Sequence, residues 1–300
     1  MNKMNGEQKT ISLVLGSGGA RGLAHIGVIQ VLVERGYLIR SISGSSMGAL
    51  IGGIYAAGEL ETYTQWVCAL DRMDVLRLLD FSFSGAAFFK GDKIINTLRE
   101  LVGDRNIEDL PISFTAVATD LEESKEVWLS SGPLFDAIRA SISFPTIFSA
   151  FPYKGKTLVD GGLLNPIPIA PTLRDQTSMT IAVGLCGKAR HLIDIPLTVQ
   201  LAPEKRNKYQ QKIIDFIDGL QRKNSRGEED TSMFDIVSKS LDAMQSTISS
   251  FKLAAYSPDI VIEIPKNVCS IYEFDRAEEL IEIGRQEATA RLNEFDYPAS

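Results

Sequence analysis

Short apolar runs alternate along the chain with segments of helical period. Residues 11–15, 38–43 and 114–119 have the length of buried strands, whereas residues 22–35 and 47–57 carry apolar positions at helical spacing. This alternation predicts an α/β domain with a mostly parallel central sheet and helices on both faces. The other predicted strands are residues 126–129, 157–159, 179–185 and 260–264, and the other predicted helices are residues 133–141 and a last helix from near Asp275 to about Phe295.

Several helix ends can be predicted from single residues. Gly36 and Gly58 follow the two early helices and are expected to end them, because glycine readily adopts the left-handed conformation found there. At the start of the last helix, Asp275 and Glu278 have the spacing of a capping box.

Two segments depart from the alternation. Residues 81–90 (FSFSGAAFFK) are aromatic and contain glycine, which is compatible either with a mobile lid or with a buried loop. Residues 203–231 are highly charged, but their middle has helical spacing and predicts a helix against the body or, alternatively, a membrane-surface contact. We therefore expect a polar tail at residues 1–10 and a single domain at residues 11–300, with a polar, helical insertion at about residues 203–256.

Composition narrows the range of functions. The 300 residues are 44% hydrophobic and 23% charged, so a sizeable core is affordable, and the net charge of -7 argues against a broad nucleic-acid surface. The three cysteines lie far apart and suggest neither a metal site nor a redox pair. No apolar run approaches the ~20 residues of a membrane span. We expect a cytoplasmic protein without cofactor or metal, in peripheral contact with the inner membrane face.

The first segment with chemical potential is GSGGARG at residues 16–22, between a predicted strand and helix. Glycines at such a turn let backbone N–H groups converge at a helix N-terminus, where negative charge is favoured. A dinucleotide fingerprint needs a third glycine where Arg21 stands, and a phosphate-binding P-loop needs glycine at position 21 and lysine at position 22. An oxyanion hole remains as the functional interpretation, and a tight turn as the structural one.

The second segment is GSSMG at residues 44–48, again between a predicted strand and helix. It matches the G-x-S-x-G nucleophile elbow, in which a serine sits on a sharp, strained turn. The helix behind it carries small residues at helical spacing, so it can lie close to the sheet. The pattern alone is weak, but the glycine segment upstream strengthens the prediction that Ser46 is a nucleophile.

The third segment is Asp160-Gly161-Gly162 at the end of a predicted strand, followed shortly by Asn165. An aspartate there can face a cleft, although an ordinary Asp-Gly turn has the same sequence. A serine nucleophile needs a group that takes its proton. Of the two histidines, His25 is expected to be packed in a helix, whereas His191 keeps a Ser46, Asp160, His191 triad open as an alternative.

Together the three segments resemble the patatin-like phospholipases, including bacterial members similar to the catalytic domain of neuropathy target esterase. The resemblance is close over residues 11–165 and looser towards the C-terminal strand and helix. It includes the block ahead of the aspartate, with Ala140, Ser141, Phe144, Pro145, Phe148 and Pro152. Gly16 is a departure, because plant patatins have aspartate at that position.

The resemblance implies a lipid esterase or phospholipase A-like hydrolase with a Ser-Asp dyad and a lipid or lysophospholipid ester as substrate. It implies the catalytic residues Ser46 and Asp160, an oxyanion loop with Gly16, Gly18, Gly19 and Arg21, and supporting residues Gly22, Gly44, Gly48, Gly161, Gly162 and Asn165. Gly18 and Gly19 are the expected N–H donors, Arg21 either steadies the loop or contacts a lipid phosphate, and Asn165 is a candidate to fix the turn around Asp160. A lipid-binding or regulatory protein with a vestigial site is the alternative function.

Overall fold

The computed structural model describes residues 9–80, 87–189 and 233–297. Its strands are β1 (Thr10–Leu15), β2 (Leu38–Ser45), β3 (Ala87–Phe89), β4 (Ser113–Asp120), β5 (Lys125–Leu129), β6 (Thr146–Phe148), β7 (Phe151–Tyr153), β8 (Lys156–Asp160), β9 (Met179–Gly187) and β10 (Ile260–Pro265). Its helices are α1 (Ala24–Glu34), α2 (Met47–Ala56), α3 (Leu60–Cys68), α4 (Arg72–Leu78), α5 (Asp92–Val102), α6 (Leu134–Ser141), α7 (Met233–Tyr256) and α8 (Ala277–Asp296).

Within these residues an eight-stranded sheet has the order β10-β9-β1-β2-β4-β8-β7, with β5 also paired to β4. The neighbours from β10 to β4 are parallel, whereas β5, β7 and β8 are added antiparallel. The predicted mostly parallel sheet is thus confirmed. Strand order reverses beside β1, and in such sheets ligands bind at the carboxyl ends of the strands near that point.

Helices cover both faces of this sheet. Neighbouring residues of a strand point to opposite faces, and in β1 Leu15 lies under Gly52 of α2. Val14, on the other face, packs with Ile167, Ile169, Ala182 and Leu253 of α7. Strand β1 is therefore buried on both sides, which explains its continuous apolar sequence.

Helices α1 and α8 approach unusually closely. A Cβ on Gly27 would lie 1.9 Å from the carbonyl oxygen of Ile281, and one on Gly284 would lie 2.0 Å from that of Ala24. The capping box predicted for the last helix is wrong. The helix begins after the N-cap Arg276 with no side-chain cap, and the carboxylate of Asp275 lies 3.7 Å from Arg72 instead.

The chain divides into two compact units, Met1–Arg190 with Gln245–Ser300 and His191–Met244. The predicted insertion overlaps the second unit, but residues 203–231 lie outside the described residues. Of the aromatic segment at 81–90, residues 87–89 form β3 and pair with β6, and residues 81–86 are not described. In the described part of the chain, none of the helices has the length and apolarity required to cross a membrane.

Candidate active site

Ser46 occupies a sharp turn between β2 and α2. Its backbone has φ 55° and ψ -123°, a left-handed conformation that costs a non-glycine residue roughly 1–3 kcal/mol and is found preferentially at functional sites. The flanking glycines allow this turn: a Cβ on Gly44 would lie 2.4 Å from the carbonyl carbon of Gly48, and one on Gly48 would lie 2.0 Å from the carbonyl oxygen of Leu15. The segment therefore forms the predicted elbow, with Ser46 at the carboxyl end of β2.

The strained backbone of Ser46 is held by a side chain from another element. Ser141, the last residue of α6, accepts a hydrogen bond from the Ser46 N–H at its Oγ over 2.9 Å. The same hydroxyl donates to the carbonyl oxygen of Val117 in β4 over 2.6 Å. Ser141 is fully buried, so both bonds are shielded from water.

Asp160 is the last residue of β8 and is completely buried. One carboxylate oxygen, Oδ2, accepts a hydrogen bond from Ser46 Oγ at 2.5 Å, and the other accepts from the N–H of Gly162 at 2.7 Å. Its own N–H donates to the carbonyl oxygen of Ser143 at 3.0 Å. The structure thus joins a hydroxyl on an elbow directly to a fixed carboxylate.

Burial decides the basicity of this carboxylate. It raises the pKa of Asp160 to about 7, although the hydrogen bonds from Ser46 and from the Gly162 N–H act in the opposite direction. Desolvation disfavours the charged form of a carboxylate, which therefore binds a proton more tightly. Asp160 is consequently a much better proton acceptor near neutral pH than an exposed aspartate.

The glycine segment at residues 16–22 connects β1 to α1. Three of its N–H groups donate to carbonyl oxygens elsewhere: Gly16 to Val183 at 3.0 Å, Ser17 to Pro166 at 2.8 Å and Ala20 to Ile271 at 3.0 Å. No described residue accepts a hydrogen bond from the N–H of Gly18 or Gly19. Gly16 was predicted to belong to the oxyanion loop, but its N–H donates to the carbonyl oxygen of Val183 in β9.

Arg21 lies inside the protein rather than on its surface. It is 2% exposed, and its Nε donates to the carbonyl oxygen of Gly18 at 3.2 Å. This contact agrees with the first of the two predicted roles, in which Arg21 steadies the glycine loop.

The three motif segments are packed against one another. The contacts that a Cβ would make at their glycines show this closeness: 2.3 Å from Gly22 to Met47 Cβ, 2.7 Å from Gly161 to Ser45 Oγ, and 2.4 Å from Gly162 to Ser17 Oγ. Separations this short leave no room for side chains larger than hydrogen. The glycines of the motifs are therefore required by packing between the segments as well as by their turns.

Asn165 closes the turn that follows Asp160. Its N–H donates to the carbonyl oxygen of Gly161 at 2.8 Å, and its side-chain Nδ2 donates to Oε2 of Glu126 in β5 at 2.8 Å. Glu126 also accepts from Nζ of Lys252 in α7 at 2.5 Å. The backbone of Asn165 shapes the turn, and its side chain attaches that turn to β5.

The two histidines differ in what the structure describes. His25 is fully buried in α1, and its Nε2 donates to the carbonyl oxygen of Gly16 at 2.9 Å. Burial lowers the pKa of His25 to about 4, despite this hydrogen bond, so the ring is neutral at pH 7. The expected packed histidine is confirmed, whereas His191 lies outside the described residues.

The contacts of Ser141 and Ser143 with the elbow and the aspartate were not predicted from the sequence. Both serines follow Arg139 within a short, mostly apolar stretch, DAIRASISF, at residues 136–144. Polar side chains in such a stretch need hydrogen-bond partners when they are buried. The sequence therefore indicates that Ser141 and Ser143 need hydrogen-bond partners, but it does not identify those partners.

Comparisons with other proteins agree with this geometry. A family model described as patatin-like phospholipase matches residues 13–173. An uncharacterized NTE family protein of Mycobacterium bovis is 38% identical, over 95% of this chain and 92% of that protein. Lysophospholipase NTE1 of Candida glabrata is 32% identical, over 54% of this chain but only 10% of that protein.

Among solved structures, VipD from Legionella pneumophila is similar with a TM-score of 0.47 and 14% identity, over 96% of this chain and 67% of that chain. The family model covers more than half of the chain, and the mycobacterial relative is matched over nearly its whole length. With an elbow serine and a buried aspartate at the carboxyl edge of a mostly parallel sheet, this chain belongs to the patatin-like phospholipase family.

Proposed function

We propose that this protein is a serine acyl hydrolase that cleaves lipid esters, with Ser46 as nucleophile and Asp160 as general base. The 2.5 Å hydrogen bond from Ser46 Oγ to Asp160 Oδ2 carries the proposal. A nucleophile and a base within hydrogen-bond reach are the signature of covalent catalysis. The pKa of about 7 for Asp160 suits a group that must accept a proton at neutral pH and later return it.

In the first half-reaction, Ser46 Oγ attacks the ester carbonyl carbon while its proton passes to Asp160. The N–H groups of Gly18 and Gly19 donate to the developing oxyanion, a role supported by the lack of any acceptor for them among the described residues. When the tetrahedral intermediate collapses, the bond to the leaving oxygen breaks. That oxygen takes the proton from Asp160 and departs as an alcohol, leaving an acyl-Ser46 ester.

In the second half-reaction, water attacks the acyl-Ser46 ester and gives a proton to Asp160. Collapse of this second intermediate releases a carboxylic acid, and Ser46 regains its proton from Asp160. Each proton that Asp160 accepts is returned within the same half-reaction, so one carboxylate is sufficient for the cycle.

The substrate class follows from the family rather than from a bound molecule. Lysophospholipase NTE1 of Candida glabrata takes its name from lysophospholipid hydrolysis, and we extend this class, phospholipid or lysophospholipid esters, to the present chain. Such substrates lie in or near a bilayer, so peripheral membrane contact belongs to the same proposal.

Covalent labelling tests the proposal directly. Intact mass after incubation with a fluorophosphonate should show one adduct on the parent and none on Ser46→Ala, with strongly slowed labelling of Asp160→Asn. Ser45→Ala is the matched control, because Ser45 is the adjacent, fully buried serine and should keep the adduct. A Ser46→Ala protein that retained full esterase activity would overturn the proposal.

The same assay addresses the alternatives that the sequence left open. With a dyad, His191→Ala turns over substrate within about twofold of the parent, as expected for a residue outside the reacting groups. A loss as large as that of Asp160→Asn would establish the triad. Tight lipid binding by the parent without any acyl-enzyme would instead identify a lipid-binding protein with a vestigial site.

A further inference from the structure

The end of helix α6 contacts both members of the proposed dyad. Ser141 Oγ accepts the N–H of Ser46 at 2.9 Å, and two residues later the carbonyl oxygen of Ser143 accepts the N–H of Asp160 at 3.0 Å. Ser46 and Asp160 are far apart in sequence: Ser46 follows β2, and Asp160 ends β8. One short segment therefore restrains the backbones of both residues.

The hydroxyl of Ser141 is itself held in one orientation. It donates to the carbonyl oxygen of Val117 at 2.6 Å, which leaves its lone pairs for the N–H of Ser46. Val117 is followed in β4 by Ala118, the residue that pairs with Asp160 of β8. The buried hydroxyl of Ser141 thus connects the elbow to β4, the strand that pairs with β8 at Asp160.

Ser143 is anchored as firmly. Its Oγ accepts from Nη1 of Arg139 at 2.5 Å and donates to the carbonyl oxygen of Arg139 at 2.7 Å. Arg139 is 3% exposed, and its Nη2 donates to the carbonyl oxygens of Ser149, at 3.1 Å, and of Lys90. These bonds fix the position of the Ser143 carbonyl oxygen and hence of Asp160.

We propose that Ser141 is a positioning residue whose hydroxyl sets the separation between Ser46 Oγ and Asp160 Oδ2, an inference that rests on the proposed function. Ser46 has a left-handed φ of 55°, and such a conformation persists only where surrounding contacts enforce it. Without the Ser141 hydroxyl, the N–H of Ser46 loses its acceptor and the elbow relaxes. The displaced hydroxyl of Ser46 then no longer meets the carboxylate.

Three variants separate positioning from folding. Ser141→Ala removes the hydroxyl, and Ser141→Cys keeps most of the side-chain volume with a sulfur that accepts hydrogen bonds only weakly. The matched control is Ser43→Ala, because Ser43 is equally buried and its Oγ donates to the carbonyl oxygen of Pro168 at 2.5 Å, away from the dyad. Measured quantities are kcat and KM on a soluble ester, and the melting temperature.

Ser141→Ala and Ser141→Cys should lower kcat by ~10–100-fold, as expected for a misplaced reacting group, with KM within about threefold because Ser141 does not contact substrate. Ser43→Ala should lose a similar amount of thermal stability to Ser141→Ala while its kcat stays within about twofold. A kcat of Ser141→Ala equal to that of Ser43→Ala would overturn the inference, as would full recovery of kcat in Ser141→Cys.

Crystal structures make the result independent of the assay. If the parent shows no Ser46-dependent turnover, the proposed function fails, and the separation between Ser46 Oγ and Asp160 Oδ2 then decides the positioning role. In Ser141→Ala that separation should exceed the 2.5 Å of the parent and the φ of Ser46 should change. An unchanged elbow in that variant would contradict the inference.

Discussion

The two sides of the proposed active site are built in different ways. Ser46 directly follows the parallel strand β2, and the glycine loop at residues 16–22 begins directly after the parallel strand β1. Asp160 ends β8, which is antiparallel to β4, and depends on the carbonyl oxygen of Ser143 and the N–H of Gly162. The proposed nucleophile therefore lies in a recognisable local turn that Ser141 of α6 supports, whereas the proposed base ends an antiparallel strand and is held by Gly162 nearby and by Ser143 from α6's end.

The two sides also differ in what destabilises them. Ser46 is destabilised by its left-handed backbone conformation. Asp160 is destabilised because its carboxylate has no exposure to water. Such local conflicts with stability are expected at functional sites and are offset elsewhere in the fold. The comparison can be tested by perturbing one side at a time.

The largest combined loss of stability and turnover is expected from a methyl group in the elbow. In Gly48→Ala the new Cβ would lie 2.0 Å from the carbonyl oxygen of Leu15 and 2.9 Å from that of Gly16, so α2 and the glycine loop must separate. We expect a loss of about 3 kcal/mol in the free energy of unfolding and of ~100-fold or more in turnover. Chemical denaturation and ester hydrolysis measure the two effects.

Gly184→Ala in β9 is the control for this prediction. Its Cβ would meet only Ile167 Cδ1, at 3.9 Å, so stability and turnover should stay close to those of the parent. Equal behaviour of Gly48→Ala and Gly184→Ala would show that the elbow is not the rigid side of the site.

On the other side, Asp160→Asn should stabilise the protein at alkaline pH. The folded protein holds the Asp160 proton up to pH about 7, whereas the unfolded chain releases it near pH 4. The contribution of this group is thus full below pH 4 and is lost as the pH rises through 7. Asparagine avoids that loss.

The expected advantage of Asp160→Asn is about 4 kcal/mol above pH 7, at 1.4 kcal/mol for each unit of pKa, shrinking to nothing near pH 3. Urea denaturation at pH 3, 5.5 and 8 measures it, with Ser46→Ala as the control that keeps the carboxylate. If the free energy of unfolding of Ser46→Ala, relative to the parent, increased with pH in the same way, the effect would come from the elbow and not from the carboxylate.

The pH dependence of turnover should follow the same group. In the proposed mechanism Asp160 accepts the proton of Ser46 only when ionised, so kcat/KM should fall about tenfold for each pH unit below 7. His25, with a pKa of about 4, does not titrate in this range. The acidic limb should persist in His191→Ala, and its disappearance there would mean that a histidine supplies the base.

The difference between the sides also explains what the sequence could predict. Strands β1 and β2, helix α2 and the elbow were predicted because apolar period, turn glycines and the G-x-S-x-G spacing are local signals. The assignment of Asp160 as base depended on family resemblance, since an Asp-Gly turn is common in proteins. Of the contacts that hold Asp160, the N–H of Gly162 lies in its own motif, but the carbonyl oxygen of Ser143 comes from a residue with no local pattern.

Other failures have the same origin. Helices α3 and α4 and the short strands β3, β6 and β7 were not predicted, because short elements obtain much of their stability from tertiary packing rather than from a period. Helix α5 was missed although its buried residues Ile95, Leu98 and Val102 have helical spacing. At Asp275 a good local capping sequence does not cap the last helix, because Asp275 lies inside the 3-10 turn Phe274–Arg276 that precedes it. Sequence reasoning succeeded where neighbouring residues determine the geometry.

The smallest effect shows how far the long-range support of Asp160 extends. Asn165, in the turn after the base, bonds Glu126, and Glu126 bonds Lys252 in α7 at 2.5 Å. Both partners of this ion pair are partly exposed, with 18% of Lys252 and 26% of Glu126 accessible, and such pairs contribute about 1 kcal/mol or less. Lys252→Met should therefore lower stability by no more than about 1 kcal/mol and leave turnover within about twofold, because Asn165 keeps its own bond to Glu126.

Lys125→Met, which removes an exposed pair with Glu123 at 3.4 Å, is the matched control and should change neither the free energy of unfolding nor turnover. A tenfold loss of turnover in Lys252→Met alone would mean that the position of Asp160 depends on contacts as distant as α7, and that the antiparallel side of the site is even less local than the hydrogen bonds around the carboxylate indicate.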